Sequence, residues 1–283
     1  MVGGYGSDGF NSVEVIGDKK CAVPQLPSTN NGNQVILTNN NEILTCGGYG
    51  NNLQKCFVLN TKKAKWEAHS DLINERFRFD SVTMPTGVYL FGGYSSRTTS
   101  EFLPSGSTNW QMGPSLPHPP ILYGCAVRKS DFEIIFIGGE FSDKKIIQLN
   151  IKTNVWTTLG ELQEGRYHHA CAVFDDKIVV TGGYNSKGGW TISSSEVISL
   201  QNLSKSELVG HMNERRSEHG MAIAQVNGKP TLLAFGGYNT KYLDSIEQWI
   251  PESQSWAVLS DSKLSEAKRY FGHLSIPTQL ICP

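Results

Sequence analysis

Short apolar runs recur along the chain, and most of them end close to a pair of glycines. Ile43-Leu44, Val88 to Phe91, Ile134 to Ile137, Ile178 to Val180 and Leu232 to Phe235 lead into Gly47-Gly48, Gly92-Gly93, Gly138-Gly139, Gly182-Gly183 and Gly236-Gly237. A sixth pair stands at Gly3-Gly4, and successive pairs are 44, 45, 46, 44 and 54 residues apart. Runs this short, bounded by turn residues, predict buried strands. A second strand is predicted after each pair, as in Ser12 to Val15, Cys56 to Leu59, Ile146 to Leu149, Ser195 to Ile198 and Ser245 to Trp249. A turn follows, then Trp66, Trp110, Trp156 or Trp256; Cys21 takes that place in the first repeat. The fifth repeat has no Trp there and carries a longer loop, Asn185 to Ser194. A strand rich in small residues opens most units: Ser81 to Thr83, Gly124 to Val127, Ala170 to Val173 and Gly220 to Ile223. No stretch has helical periodicity.

Four strands in each unit of about 45 residues predict a β-propeller. The expectation is an all-β, six-bladed ring with four antiparallel strands per blade, occupying residues 1–283 as one domain. The ends complement each other. Phe271 to Ile276 resembles the innermost strand of a repeat, and Pro277 to Ile281 parallels Pro85 to Tyr89. Gly3-Gly4 supplies the diglycine that should come next, so both termini are expected to close the ring in one shared blade, which removes exposed sheet edges.

Composition narrows the function classes. The 283 residues are 39% hydrophobic and 18% charged, which suits a folded chain rather than a disordered one. A formal net charge of −1 gives no global attraction to nucleic acid or to acidic membranes. No apolar run reaches the roughly 18 residues that span a bilayer. A monomeric domain without nucleic-acid or membrane partners is expected.

The strand ending in Gly-Gly-Tyr, the strand after it and the following Trp resemble the kelch-repeat family over essentially the whole chain. Tyr5, Tyr49, Tyr94, Tyr184 and Tyr238 follow five of the six pairs, with Glu140 after the other. The resemblance implies a rigid platform that binds a protein or peptide on one face, without catalysis and without a cofactor. That face is built from the loops after each diglycine and the loops before each innermost strand. Carried onto this sequence, it includes Tyr49, Tyr94, Tyr184, Tyr238, Arg78, Arg166, His168, Glu218 and Tyr270. Trp190, in the long loop, lies outside the repeat pattern and is the best single candidate for contact. Enzymes share this fold. A copper oxidase would need His ligands such as His168, His169, His219 and His273, but its spaced motif is missing. A sialic-acid mutarotase would need Arg and Glu facing the axis, for which Arg78, Arg166, Glu214 and Glu218 are available. A third alternative is the substrate-recognition end of a ubiquitin-ligase adaptor.

Six cysteines bear on the compartment. Cys46 and Cys56 align with Ile137 and Ile146 of another unit, which should face each other across a hairpin, so a disulfide is expected there. Such a bond implies an oxidising compartment. Similar Cys-Gly-Gly patterns occur in extracellular animal kelch proteins, and extracellular location is the expectation, with the cytoplasm as alternative. Cys125 and Cys171 hold one position in two successive inner strands and read as small fillers of a crowded site. Asn202-Leu203-Ser204 matches the acceptor pattern for N-glycosylation, a pattern that arises often by chance.

Overall fold

The computed structural model describes residues 1–6, 11–18, 22–117, 123–140, 143–277 and 280–281. Cys21, Cys282 and the middle of the Pro277 to Ile281 segment lie outside them. Apart from one 3-10 turn at Gly50–Asn52, the regular structure of the described residues is all strand. No helix among them is long and apolar enough to cross a membrane.

Five four-stranded antiparallel units follow one another along the described chain, the third and fourth joined into one eight-stranded sheet, with two further two-stranded pairs beside them. The first comprises Gln34–Leu37, Ile43–Cys46, Cys56–Asn60 and Lys65–Ala68. The second comprises Asp80–Met84, Gly87–Phe91, Ser100–Pro104 and Gln111–Met112. The third comprises Cys125–Arg128, Glu133–Ile137, Lys145–Asn150 and Val155–Glu161. The fourth comprises Ala170–Phe174, Lys177–Thr181, Ser195–Ser199 and Asn202–Val209. The fifth comprises Gly220–Val226, Lys229–Phe235, Ser245–Ile250 and Ser255–Lys263. One parallel bridge, Glu161 to Lys205, links the outer strands of the third and fourth sheets.

The second strand of each sheet is buried on both faces, which is why it reads as an unbroken apolar run. Both faces are covered because sheets pack face to face around a ring. The core is accordingly split into clusters between neighbours. Met84, Phe91, Phe136 and Leu149 fill the space between the second and third sheets. Val179, Met221, Trp249 and Trp256 fill that between the fourth and fifth. The tryptophans reach across these seams: the Trp256 indole donates to Ser195 Oγ at 2.9 Å, and Trp66 donates to the Pro24 carbonyl at 2.9 Å. In the fourth sheet, which lacks the Trp, buried Leu203 joins the seam instead. Trp156, by contrast, is only partly buried against its cluster.

The two ends of the chain meet. Val2 bridges to Gly272 on one side and to Val13 on the other, and Tyr5–Gly6 pairs with Lys268–Arg269. Leu274 and Ile276 then pack with Val2, Leu26 and Val35 beside the first sheet. Across the seam to the fifth sheet, the Met221 N–H donates to His273 Nε2 and the Ile223 N–H to Ser275 Oγ.

Two disulfides are present among the described residues. Cys46–Cys56 joins the second and third strands of the first sheet, the pair expected from alignment. Cys125–Cys171 corrects the reading of these two cysteines as fillers. Innermost strands of adjacent sheets run side by side near the axis, and equivalent positions approach to 6.0 Å between Cα atoms, within reach of a disulfide. This bond ties the third sheet to the fourth. Replacing both cysteines by Ser is expected to lower stability by about 2–5 kcal/mol in chemical denaturation. An unchanged midpoint would mean that the seam is held by packing alone.

Candidate binding face

The loops before the innermost strands carry two kinds of side chain at a spacing of two residues. The first kind latches sheets together. Arg76 is fully buried; its Nε donates to Glu101 at 3.0 Å and its Nη1 to the Gly92 carbonyl at 2.6 Å. Arg166 repeats this with Glu196 at 2.8 Å and the Gly182 carbonyl at 3.0 Å. Arg216 does so with Glu247 at 2.8 Å and the Gly236 carbonyl at 2.8 Å. Each carboxylate also accepts two backbone N–H groups, from Ile73 and Asn74, Gln163 and Glu164, or Asn213 and Glu214. The carbonyl of the same arginine accepts the second glycine N–H of the preceding sheet: Gly48 to Arg76, Gly139 to Arg166, Gly183 to Arg216. One residue therefore holds two diglycines. Asn30 and Lys268 stand in the same place, their carbonyls accepting Gly4 and Gly237 N–H. The glycines have no alternative: Gly47 has φ +63°, and a Cβ there would lie 2.5 Å from the Arg76 carbonyl oxygen and 2.6 Å from the Phe79 ring.

This placement corrects the expectation for Arg166. Its guanidinium is sealed inside a seam and cannot touch a ligand. Glu214 is likewise engaged, accepting from Ser245 Oγ and lying 3.7 Å from Arg216.

Two residues further on, the second kind turns to the axis. Gly32, Arg78, Tyr123, His168, Glu218 and Tyr270 all have positive φ, between 52° and 67°. Side chains rarely adopt this conformation. Here it is locked by backbone bonds running from loop to loop: Arg78 N–H to Gly32 O, His168 to Tyr123, Glu218 to His168, Tyr270 to Glu218 and Gly32 to Tyr270, at 2.6–3.1 Å. Together they wall a cavity of about 170 Å³ at the centre of the diglycine face.

The chemistry of that cavity is uneven. Arg78 lies over the Tyr270 ring, 3.7 Å from guanidinium carbon to centroid, and its Nε is buried without a hydrogen-bond partner among the described residues. Among the described residues no carboxylate reaches ion-pair distance of it. The carboxylate beside it, Glu218, is matched by Arg269 at 2.9 Å. Burial pushes the Glu218 carboxyl up, while Tyr270, Arg269 and the more distant Arg78 pull it down, and burial prevails. His168 stacks on Tyr123 at 4.2 Å and faces the Tyr270 hydroxyl at 3.4 Å. Its burial and the nearby Arg78 push its pKa well below the ordinary value, so the imidazole is neutral. Among the described residues no three His, Cys, Asp or Glu side chains converge as metal ligands.

Around the cavity stands a crown of aromatic rings. Tyr49, Phe77 and Tyr94 form a chain with centroids 5.5 and 5.1 Å apart. Tyr167 meets Tyr184 at 5.5 Å, and Tyr238 meets Tyr242 at 5.7 Å. Arg269 covers Tyr238 at 4.5 Å. Tyr49, Tyr94 and Trp190 are more than half exposed, at 62, 51 and 57%; Tyr184 and Tyr238 are half-buried. The long loop folds back on itself, Asn185 N–H donating to the Trp190 carbonyl at 2.9 Å, and holds Trp190 out in solvent. Tyr123 escaped sequence reasoning although it sits 45 residues from both Arg78 and His168. The repeat spacing alone, carried through the third unit, points to it. Phe77 and Tyr167 lie outside the Gly-Gly-Tyr motif but precede Arg78 and His168 at equivalent repeat positions, whereas Tyr242 carried no such signal.

Residues 80–279 match the family model of the KLHDC2/KLHL20/DRC7 Kelch-repeats domain, well over half of the chain. The chain belongs to the kelch-repeat family. Kelch-like protein 23 of Mus musculus is 25% identical to this kelch chain over 249 residues, 81% of the chain and 41% of that protein. Alpha-scruin of Limulus polyphemus is 25% identical over 183 residues, 60% of the chain and 20% of that protein. Acyl-CoA-binding domain-containing protein 4 of Arabidopsis thaliana is 28% identical over 149 residues, 49% of the chain and 22% of that protein. The chain thus spans less than half the length of each of these relatives.

Proposed function

We propose that this kelch chain is a single six-bladed propeller, residues 1–283, that binds an acidic protein segment on its diglycine face without turnover. Support for six blades comes from the six axial positions, Gly32 to Tyr270, whose backbone bonds lead from Tyr270 back to Gly32. The binding reading rests on one observation: Arg78 lines a semi-enclosed cavity against the Tyr270 ring and makes no ion pair among the described residues. A partly buried arginine that makes no ion pair among the described residues favours a ligand that brings a negative charge. The rings around it offer contact area at little cost in side-chain entropy.

A carbohydrate-acting enzyme is the weaker reading, because Arg166 and Glu214 are bound into seams and leave the axis without them. The two disulfides support an extracellular setting and weigh against an intracellular ubiquitin-ligase adaptor. Monomeric behaviour is expected in solution.

The test is an array of acidic, neutral and basic peptides probed with the purified protein. Acidic peptides should be retained. Arg78→Ala should weaken retention by roughly 10- to 100-fold, the scale of a hydrogen bond to a charged group. Trp190→Ala should weaken it less, and neither change should move the melting temperature by more than a few degrees. Equal retention by wild type and Arg78→Ala would sink the assignment.

A further inference from the structure

Of all the asparagines in the chain, Asn202 alone begins an Asn-X-Ser/Thr triplet, and X is Leu203 rather than Pro. The structure gives that triplet a setting the sequence does not reveal. It opens the outermost strand of the fourth sheet, Asn202–Val209, where Asn202 and Ser204 face solvent and Leu203 alone turns into the seam. The Ser204 hydroxyl donates to Asn202 Oδ1 at 2.7 Å and the Ser204 N–H to the same oxygen at 3.2 Å. The Asn202 Nδ2 amide donates to nothing among the described residues, so a substituent on it breaks no hydrogen bond. The third strand, Ser195–Ser199, runs from the diglycine end to the turn before Asn202, so the triplet lies at the far end from the cavity. Five residues of strand separate the two by roughly 15 Å.

We infer that Asn202 carries an N-linked glycan, projecting from the face opposite the binding cavity. The step is a transfer from a lipid-pyrophosphate-linked oligosaccharide. Asn202 Nδ2 forms a bond to the anomeric carbon, the bond from that carbon to the pyrophosphate oxygen breaks, and one amide proton is lost as the lipid pyrophosphate leaves. A sugar chain at this position is bulky and hydrated. It covers the end of the outer strand away from the cavity and leaves Arg78 and the aromatic crown open. The inference rests on the extracellular reading above, since disulfide formation and glycan transfer belong to the same secretory route.

The experiment uses protein from its natural source and protein secreted by a eukaryotic host. Each is treated with peptide N-glycosidase in ¹⁸O-labelled water and mapped by mass spectrometry, with disulfides assigned in parallel. The expected result is a mass loss on treatment and conversion of Asn202 to ¹⁸O-labelled Asp. Asn202→Gln and Ser204→Ala should abolish both, while Ser204→Thr keeps them; all three should melt like the untreated protein. Bare Asn202 in protein with both disulfides formed overturns the glycan and leaves the compartment standing. Bare Asn202 with free thiols at Cys46 and Cys125 overturns both.

Discussion

Replacing Glu247 by Ala should destabilise the protein by on the order of 3–5 kcal/mol, the scale for leaving a buried charge without its partner. Glu247 has no exposed surface and joins Arg216 at 2.8 Å. Burial pushes its carboxyl up, but Arg216 and the Asn213 N–H overcome this and hold it below the usual range. Removing it strands the guanidinium and also orphans the N–H groups of Asn213 and Glu214. The double replacement Arg216→Met with Glu247→Leu separates two accounts. If the pair were only an ion pair, an apolar substitute would be close to neutral. In this seam Arg216 also satisfies the Gly236 carbonyl, so the double variant should remain destabilised by more than about 2 kcal/mol, the range for unsatisfied buried polar groups. Chemical denaturation measures both. A loss below about 1 kcal/mol for Glu247→Ala, the range of an exposed pair, would show that the latch is dispensable.

Acid should unfold the protein unusually early, and the cause should trace to His169 and His219. Both are buried directly behind the axial ring, next to Arg166 and Arg216 respectively, and among the described residues the two ring nitrogens of His219 have no hydrogen-bond partner. Burial, then Arg166, lowers the His169 pKa to about 3. Burial, then Arg216, His273, His169 and Arg166, lowers that of His219 well below its ordinary value. His273 is lowered to about 4 by burial and the chain's amino terminus. A base with a depressed folded pKa binds its proton more readily in the unfolded chain. The contribution of these histidines to stability is therefore full above pH 6.5, falls as pH drops below it, and for His169 stops falling near pH 3. At 1.36 kcal/mol per unit, His169 alone accounts for at most on the order of 3–5 kcal/mol. Phe79 and Phe271 occupy the equivalent place in other sheets, packing on Gly47 and Gly236 as the imidazoles do on Gly138 and Gly182. His169→Phe with His219→Phe should therefore keep neutral-pH stability and make the profile shallower between pH 6.5 and 4, with His168 and His273 supplying the slope that remains. A double variant that loses stability at pH 5 as steeply as wild type would assign the acid response elsewhere.

The diglycine repeat made most of the architecture legible. The strands expected at Val88 to Phe91 and Ile134 to Ile137 are present because burial on both faces leaves a continuous apolar run, and the one at Ser195 to Ile198 follows its diglycine as in the other units. The Cys46–Cys56 bond was legible for the same local reason: residues opposite each other in a hairpin are fixed by its register. Cys125–Cys171 was not. Its partners lie one whole repeat apart, and only the curvature of the ring brings equivalent positions on neighbouring inner strands together.

The binding face divides along the same line. Local spacing determines the strands, the diglycine turns, the kelch relationship and the loops from which a face can be built. It does not decide which of two side chains in one loop faces a ligand. Arg76 and Arg78, or Arg166 and His168, are two residues apart, and in a regular strand such neighbours would share a face. Positive φ at Arg78 and His168 breaks that alternation, sending the first residue of each pair into a seam and the second to the axis. That backbone conformation is imposed by hydrogen bonds between loops of adjacent sheets. It exists only once the ring has assembled, which is why the buried arginine and the free one could be told apart only in the folded protein.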